Sequence, residues 1–104
     1  LHRPASQPAH EPQQRADILA RRARRLRQKG ELRRAAIALR EACALFEGNA
    51  ARWMMLGHLH VRLGNQRDAE RAMKQALYLR EQGGERRKAQ VIRRLLSRLN
   101  DAAA

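Results

Sequence analysis

Aromatic residues are almost missing from this chain: one Trp, one Tyr and one Phe stand among 104 residues. That leaves no platform on which nucleic-acid bases could stack, and it argues against a β-sandwich core. Threonine is absent, and from Leu45 onward Val61, Val91 and Ile92 are the only Val or Ile side chains, so strand formers are scarce. Proline is confined to Pro4, Pro8 and Pro12. No run of about 18 apolar residues exists, which excludes a transmembrane helix, and no secretory signal is present. Cys43 is the single cysteine. It excludes an internal disulfide and a cysteine metal cluster. Between Ala42 and Ala44, on the apolar side of a helix, it is expected to be a small buried core residue. Acidic residues are also few: 10 against 23 Lys and Arg, a net charge of +13. Such a balance attracts nucleic acid, an anionic membrane or an acidic protein. Only Lys29, Lys74 and Lys88 are lysines. The Arg, Ala and Leu richness is also what GC-rich codon usage produces, so the charge counts for less than its size.

What remains is Ala, Leu and Arg in a periodic order. The length allows one domain or part of one. Trp53-x-x-Leu56-Gly57-x-x-His60 is followed by Gly64, Ala69, Met73 and Ala76. The same residue types stand one period earlier: Gly30 lies under Gly64, Ala35 under Ala69, Ala38 under Ala72, Ala42 under Ala76 and Leu45 under Leu79. A fixed period of this size marks stacked supersecondary units.

Residues 1–14, with all three prolines and little apolar periodicity, are expected to be a disordered linker. The chain starts at Leu1 and not Met, and another domain is expected upstream of such a linker. Five helices are expected after it, over 15–29, 31–47, 50–63, 66–81 and 85–100. Their expected inward positions are Ala16, Leu19, Ala23 and Leu26; Ala35, Ala38, Leu39, Ala42, Leu45 and Phe46; Trp53, Leu56, Gly57, His60 and Leu63; Ala69, Ala72, Met73, Ala76 and Leu77, with Leu79 or Arg80 at the end; and Val91, Ile92, Leu95, Leu96 and Leu99. Gly30, Gly48-Asn49, Gly64-Asn65 and Gly83-Gly84 interrupt the pattern. Turns this short make neighbouring helices antiparallel. Small residues at Ala23, Ala35, Gly57 and Ala69 let the helix pairs approach closely.

These residues resemble the tetratricopeptide repeat (TPR) pattern, W-x2-L-G-x2-Y followed by A-x3-F, an Ala and a Pro. Residues 50–83 fit it through Trp53, Leu56, Gly57, Gly64, Ala69 and Ala76, with His60 in place of Tyr, Met73 of Phe and Glu81 of Pro. Residues 16–49 fit more weakly through Leu19, Ala23, Leu26, Gly30, Ala35, Leu39 and Ala42, and Arg22 stands where an apolar residue is usual. Residues 85–100 do not make a third repeat; they resemble a C-terminal capping helix. The resemblance implies an all-α, TPR-like α-solenoid of antiparallel helix pairs over residues 15–104. Two repeats and a cap are fewer than such arrays usually need, so the expectation is upstream repeats, a homo-oligomer, or a minimal array that is just stable enough.

The resemblance further implies a groove lined by the first helix of each repeat. Carried over by position, the lining is Asp17, Ala20, Arg21, Arg24, Arg27 and Gln28 from the first helix and Ala51, Met54, Met55, His58 and Arg62 from the third. The capping helix adds Lys88, Ile92 and Leu95. The family's carboxylate clamp needs Lys and Asn, and Ala20, Arg24 and Met55 stand there instead, so capture of a chaperone tail is not expected. The expected peptide-binding set is Arg21, Arg24, Arg27, Gln28, Met54, Met55, His58, Arg62 and Lys88. Its arginines would fork onto carboxylates, and its methionines would give an adaptable apolar floor. That suits an acidic peptide or helix. The alternatives are an oligomerisation or scaffold segment of a larger protein, and a basic nucleic-acid-binding accessory, whose arginines at 21–27 would neutralise phosphates.

Catalytic chemistry is not expected. His58 and His60 are two apart on a helix and face different ways, so they cannot share an ion. Ser6 and Ser97 have no His/Asp arrangement near them. Asp17, Asp68 and Asp101 fall on separate elements, and no phosphate-binding glycine loop occurs. The expectation is a non-enzymatic, cytoplasmic, cofactor-free protein-binding module.

Overall fold

The computed structural model describes residues 11–103. They form five helices and, among the described residues, no strand: α1 (Glu11–Gln28), α2 (Leu32–Leu45), α3 (Ala50–Arg62), α4 (Gln66–Gln82) and α5 (Arg86–Ala103). Residues 1–10 of the expected linker lie outside the described residues. The rest of it, 11–14, is helical, so α1 starts at Glu11 and not at the expected Arg15. Pro12 is no obstacle there, because the first turn needs no N–H from it and its φ is already helical. Glu11 at the same end favours the helix dipole.

Three of the four turns share one construction. After α1, the Gly30 N–H donates to the Arg27 carbonyl at 2.9 Å and the Glu31 N–H reaches back to Leu26 at 2.9 Å. After α3, Gly64 bonds to Val61 at 3.1 Å and Asn65 to His60 at 2.8 Å. After α4, Gly84 and Glu85 repeat the pattern onto Glu81 and Arg80. This is the Schellman ending, and it requires a residue with positive φ. Gly30 and Gly64 sit at φ 81° and 79°, where a side chain would be strained. The α2–α3 turn is built differently. The Asn49 side chain accepts from the Arg52 N–H at 3.1 Å, and the Trp53 indole N–H donates to the Glu47 carbonyl at 2.8 Å. The same turn therefore ends α1, α3 and α4, and another device joins α2 to α3.

Each helix packs on its sequence neighbours, most extensively within α1/α2 and α3/α4. Small side chains make the contact: Ala16, Ala23, Ala35, Ala42, Ala69 and Ala76 are fully buried. At Gly57 a Cβ would stand 2.8 Å from Met73 Cγ, so α4 can approach α3 only because that side chain is missing. Ala16, Ala20, Ala23, Leu39, Cys43, Leu56 and Leu59 belong to a first core shared by α1, α2 and α3. Met73, Ala76, Ile92 and Leu96 form a second core that α5 completes. A buried Leu such as Leu39 or Leu59 contributes about 1.5–3 kcal/mol.

The expected inward positions rest on spacing, and the structure departs from them in places. Val91 is exposed on α5, and Ala89 takes the inward place one turn from Ile92. Leu59, Ala36 and Ala20 are buried although spacing does not single them out as core. A helix clasped on two sides buries more than one stripe. The array is elongated, 60 × 34 × 19 Å, with a radius of gyration of 15.3 Å. A compact domain of this size would have about 13 Å.

Candidate functional site

The expected groove lining begins on α1. Arg21, Arg24 and Gln28 are exposed on it, and Arg27 is half-buried. None of the ion pairs among the described residues uses Arg21, Arg22, Arg24, Arg25, Arg27 or Lys29. Asp17, the acidic member of the expected lining, is already engaged: the Arg52 guanidinium of α3 lies 2.5 Å from its carboxylate. That bond ties the first helices of the two pairs together and leaves Arg21, Arg24 and Arg27 outside the ion pairs among the described residues.

On α3, Met54 and Met55 are half-buried, while His58 and Arg62 are exposed. Met55 packs on the first core and Met54 on the second. Both therefore offer only one side to a ligand. Lys88 of α5 is exposed, with its ammonium 3.3 Å from Glu85. Glu85 also takes the Arg80 guanidinium at 3.0 Å, and these bonds hold its carboxyl below the usual carboxylate range. Ala20 and Ile92, expected in the lining, are buried in the two cores and are closed to a ligand.

Of the expected set, His58 lines a cavity. It shares about 240 Å³ between α3 and α5 with Val61, Met73, Leu95, Arg98, Leu99 and Ala102. The sequence reading missed Val61, Arg98 and Leu99 here, although their i, i+3 and i+4 spacing along α3 and α5 places them beside His58 and Leu95.

Two further cavities, about 320 Å³ each, share Ile37 of α2 in their lining. One lies between α1 and α2, lined by Leu19, Arg22, Leu26, Arg34, Ile37, Ala38 and Glu41. Arg22, the residue out of pattern, is on its wall and exposed. The other lies between α2 and the start of α4, lined by Arg33, Ala36, Ile37, Arg40, His60, Leu63, Asn65 and Asp68.

Two buried groups are held in their neutral forms. Burial pushes the Cys43 thiol up to about 11, against a smaller opposing pull from Arg52. His60 is 8% exposed and is the one buried polar side chain among the described residues. Burial lowers its pKa, Asp68 acts against this, and Arg40 adds to it. Among the described residues no three His, Cys, Asp or Glu side chains come close enough to hold a metal ion.

The antiparallel pairs, the shared turn and the terminal helix define a TPR-like α-solenoid. Residues 50–82, the whole of α3 and α4, match the tetratricopeptide repeat family model. No curated protein matches the chain. A tetratricopeptide repeat indicates a protein–protein interaction or scaffold role, and the family is typically non-enzymatic. No described helix is long and apolar enough to cross a membrane.

Proposed function

We propose that this array captures an acidic peptide or helix along the inner face of α1 and α3. The observation that carries the reading is the basic charge of α1. None of the ion pairs among the described residues uses Arg21, Arg24 or Arg27, and Asp17 is engaged by Arg52. Arg21, Arg24 and Arg27 on one helix and Arg62 on the other are suited to carboxylates, because a guanidinium presents a planar fork of donors. Gln28 and His58 add polar contacts. The open sides of Met54 and Met55 accept apolar side chains between the charges. Lys88 belongs to the rim, where its bond to Glu85 must be shared.

The test uses a fluorescein-labelled peptide of alternating glutamate and leucine. Arg24→Glu with Arg62→Glu is expected to weaken binding roughly tenfold or more with an unchanged far-UV circular dichroism spectrum. Unchanged affinity removes the groove from consideration.

One observation favours a scaffold reading beside this one. Ile18 on the first helix and Val91 on the last are each more than half exposed, as faces that stack on another copy would be. Sedimentation that stays monomeric to high micromolar concentration argues against it.

A further inference from the structure

Helix α2 carries a second arrangement that the groove does not use. Ile37 projects from α2 with 60% of its surface exposed, and a cavity lies on each side of it. Arg33 and Arg40, four positions before and three after, share its face of the helix. Neither is used by an ion pair among the described residues. Exposed isoleucine between unneutralised arginines is a poor solvent face and a good contact face.

The cavity towards α4 has a polar wall. His60 lies against it, and the Asn65 amide nitrogen is 3.3 Å from His60 Nδ1. The amide donates, so Nδ1 accepts and Nε2 carries the proton. Nε2 has no protein partner, yet no buried side-chain nitrogen or oxygen among the described residues is unsatisfied. Nε2 is therefore reached by solvent. Asp68 is the one carboxylate on the wall, and its own partner is Arg71 at 3.8 Å. An entering anion meets one imidazole donor and two guanidinium groups against that single acid.

We propose that this cavity is a second docking site, which takes a glutamate or aspartate side chain of an acidic protein segment while Ile37 packs on an adjoining apolar residue. Arg33 and Arg40 supply charge-assisted bonds, and His60 supplies a donor at the wall. The occupant follows from charge: with a net +13 the chain attracts acidic surfaces. The site stands apart from the inner groove, so either can fail without the other.

The full ¹⁵N-labelled chain would be titrated with a blocked peptide of alternating glutamate and leucine, and with its glutamine counterpart. The glutamate peptide is expected to shift the Ile37, Arg40, His60 and Asn65 amides saturably. It should do so equally in the Arg24→Glu, Arg62→Glu protein, where groove shifts are lost. Ile37→Asp with Arg40→Glu, both at exposed positions, should weaken the response of these amides about tenfold with an unchanged far-UV circular dichroism spectrum. Several results would overturn the proposal. These are shifts confined to α1 and α3, an equal response to the glutamine peptide, or a response of the same amides to dilution alone or to an oligonucleotide but not the peptide.

Discussion

His60 shows how one side chain can be set by its surroundings alone. It stands where the family pattern has Tyr, buried at the end of α3, and the chain folds back over it at Asn65. Its pKa in the folded state lies below 6.5, chiefly through burial. The unfolded chain keeps the ordinary value, so between the two values the unfolded state binds more protons. Stability then falls as the pH drops below 6.5, and the loss is complete once the pH is below the folded value. Urea unfolding at pH 7.5 and 5.5 should show this loss, and His60→Tyr should remove it; equal loss in both proteins would place the titration elsewhere. Glu85 works in a separate window. Its depressed pKa means that its contribution is present above 4.5 and disappears below. The motif spacing made His60's burial legible. Its contact with Asn65 and the open Nε2 were not, because both depend on how the next turn folds.

At the scale of elements, the same contrast appears in α1. Its apolar stripe and its terminating Gly30 are readable from spacing, and so is its excess of arginine. The Asp17–Arg52 bond is not, since it joins positions 35 apart on different helix pairs. It is partly exposed, and a pair of that kind contributes about 1 kcal/mol or less to stability. Its larger effect is on the groove. Asp17→Asn would free Arg52 and remove a negative charge, so the glutamate–leucine peptide should bind a few times more tightly, read by fluorescence anisotropy. Unchanged or weaker binding would mean that the ligand does not pass over the start of α1. The α5 helix teaches the opposite lesson. Its apolar spacing points to Val91 as inward, but docking on α4 turns Ala89 inward instead. Two faces of an amphipathic helix can look equally suitable until a partner selects one.

Across the whole molecule, charge and shape act together. An elongated array has much surface for its mass, and this one covers it with cations. Capture of an acidic partner should therefore depend steeply on ionic strength. Between 50 and 300 mM salt the apparent affinity should fall by roughly tenfold, because exposed pairs are screened as the Debye length shrinks. Stability over the same range should barely change, since the two cores are built of Ala, Leu, Met and Ile. Parallel loss of stability and binding would instead mean that charge holds the array together.

The repeat period, the scarcity of aromatic and β-branched residues, and the glycines at 30 and 64 determined the helices, their turns and the stacked architecture. Those are local matters: side-chain spacing, backbone freedom and helix propensity act within a short stretch of chain. The tertiary structure alone decided that Asp17 pairs with Arg52, that Ala20 and Ile92 are closed to a ligand, and that cavities open on either side of Ile37. Each of these depends on the distance between helices far apart in sequence. That distance is set by the summed packing of small side chains at Gly57, Ala69 and their partners, which no single stretch of the chain contains.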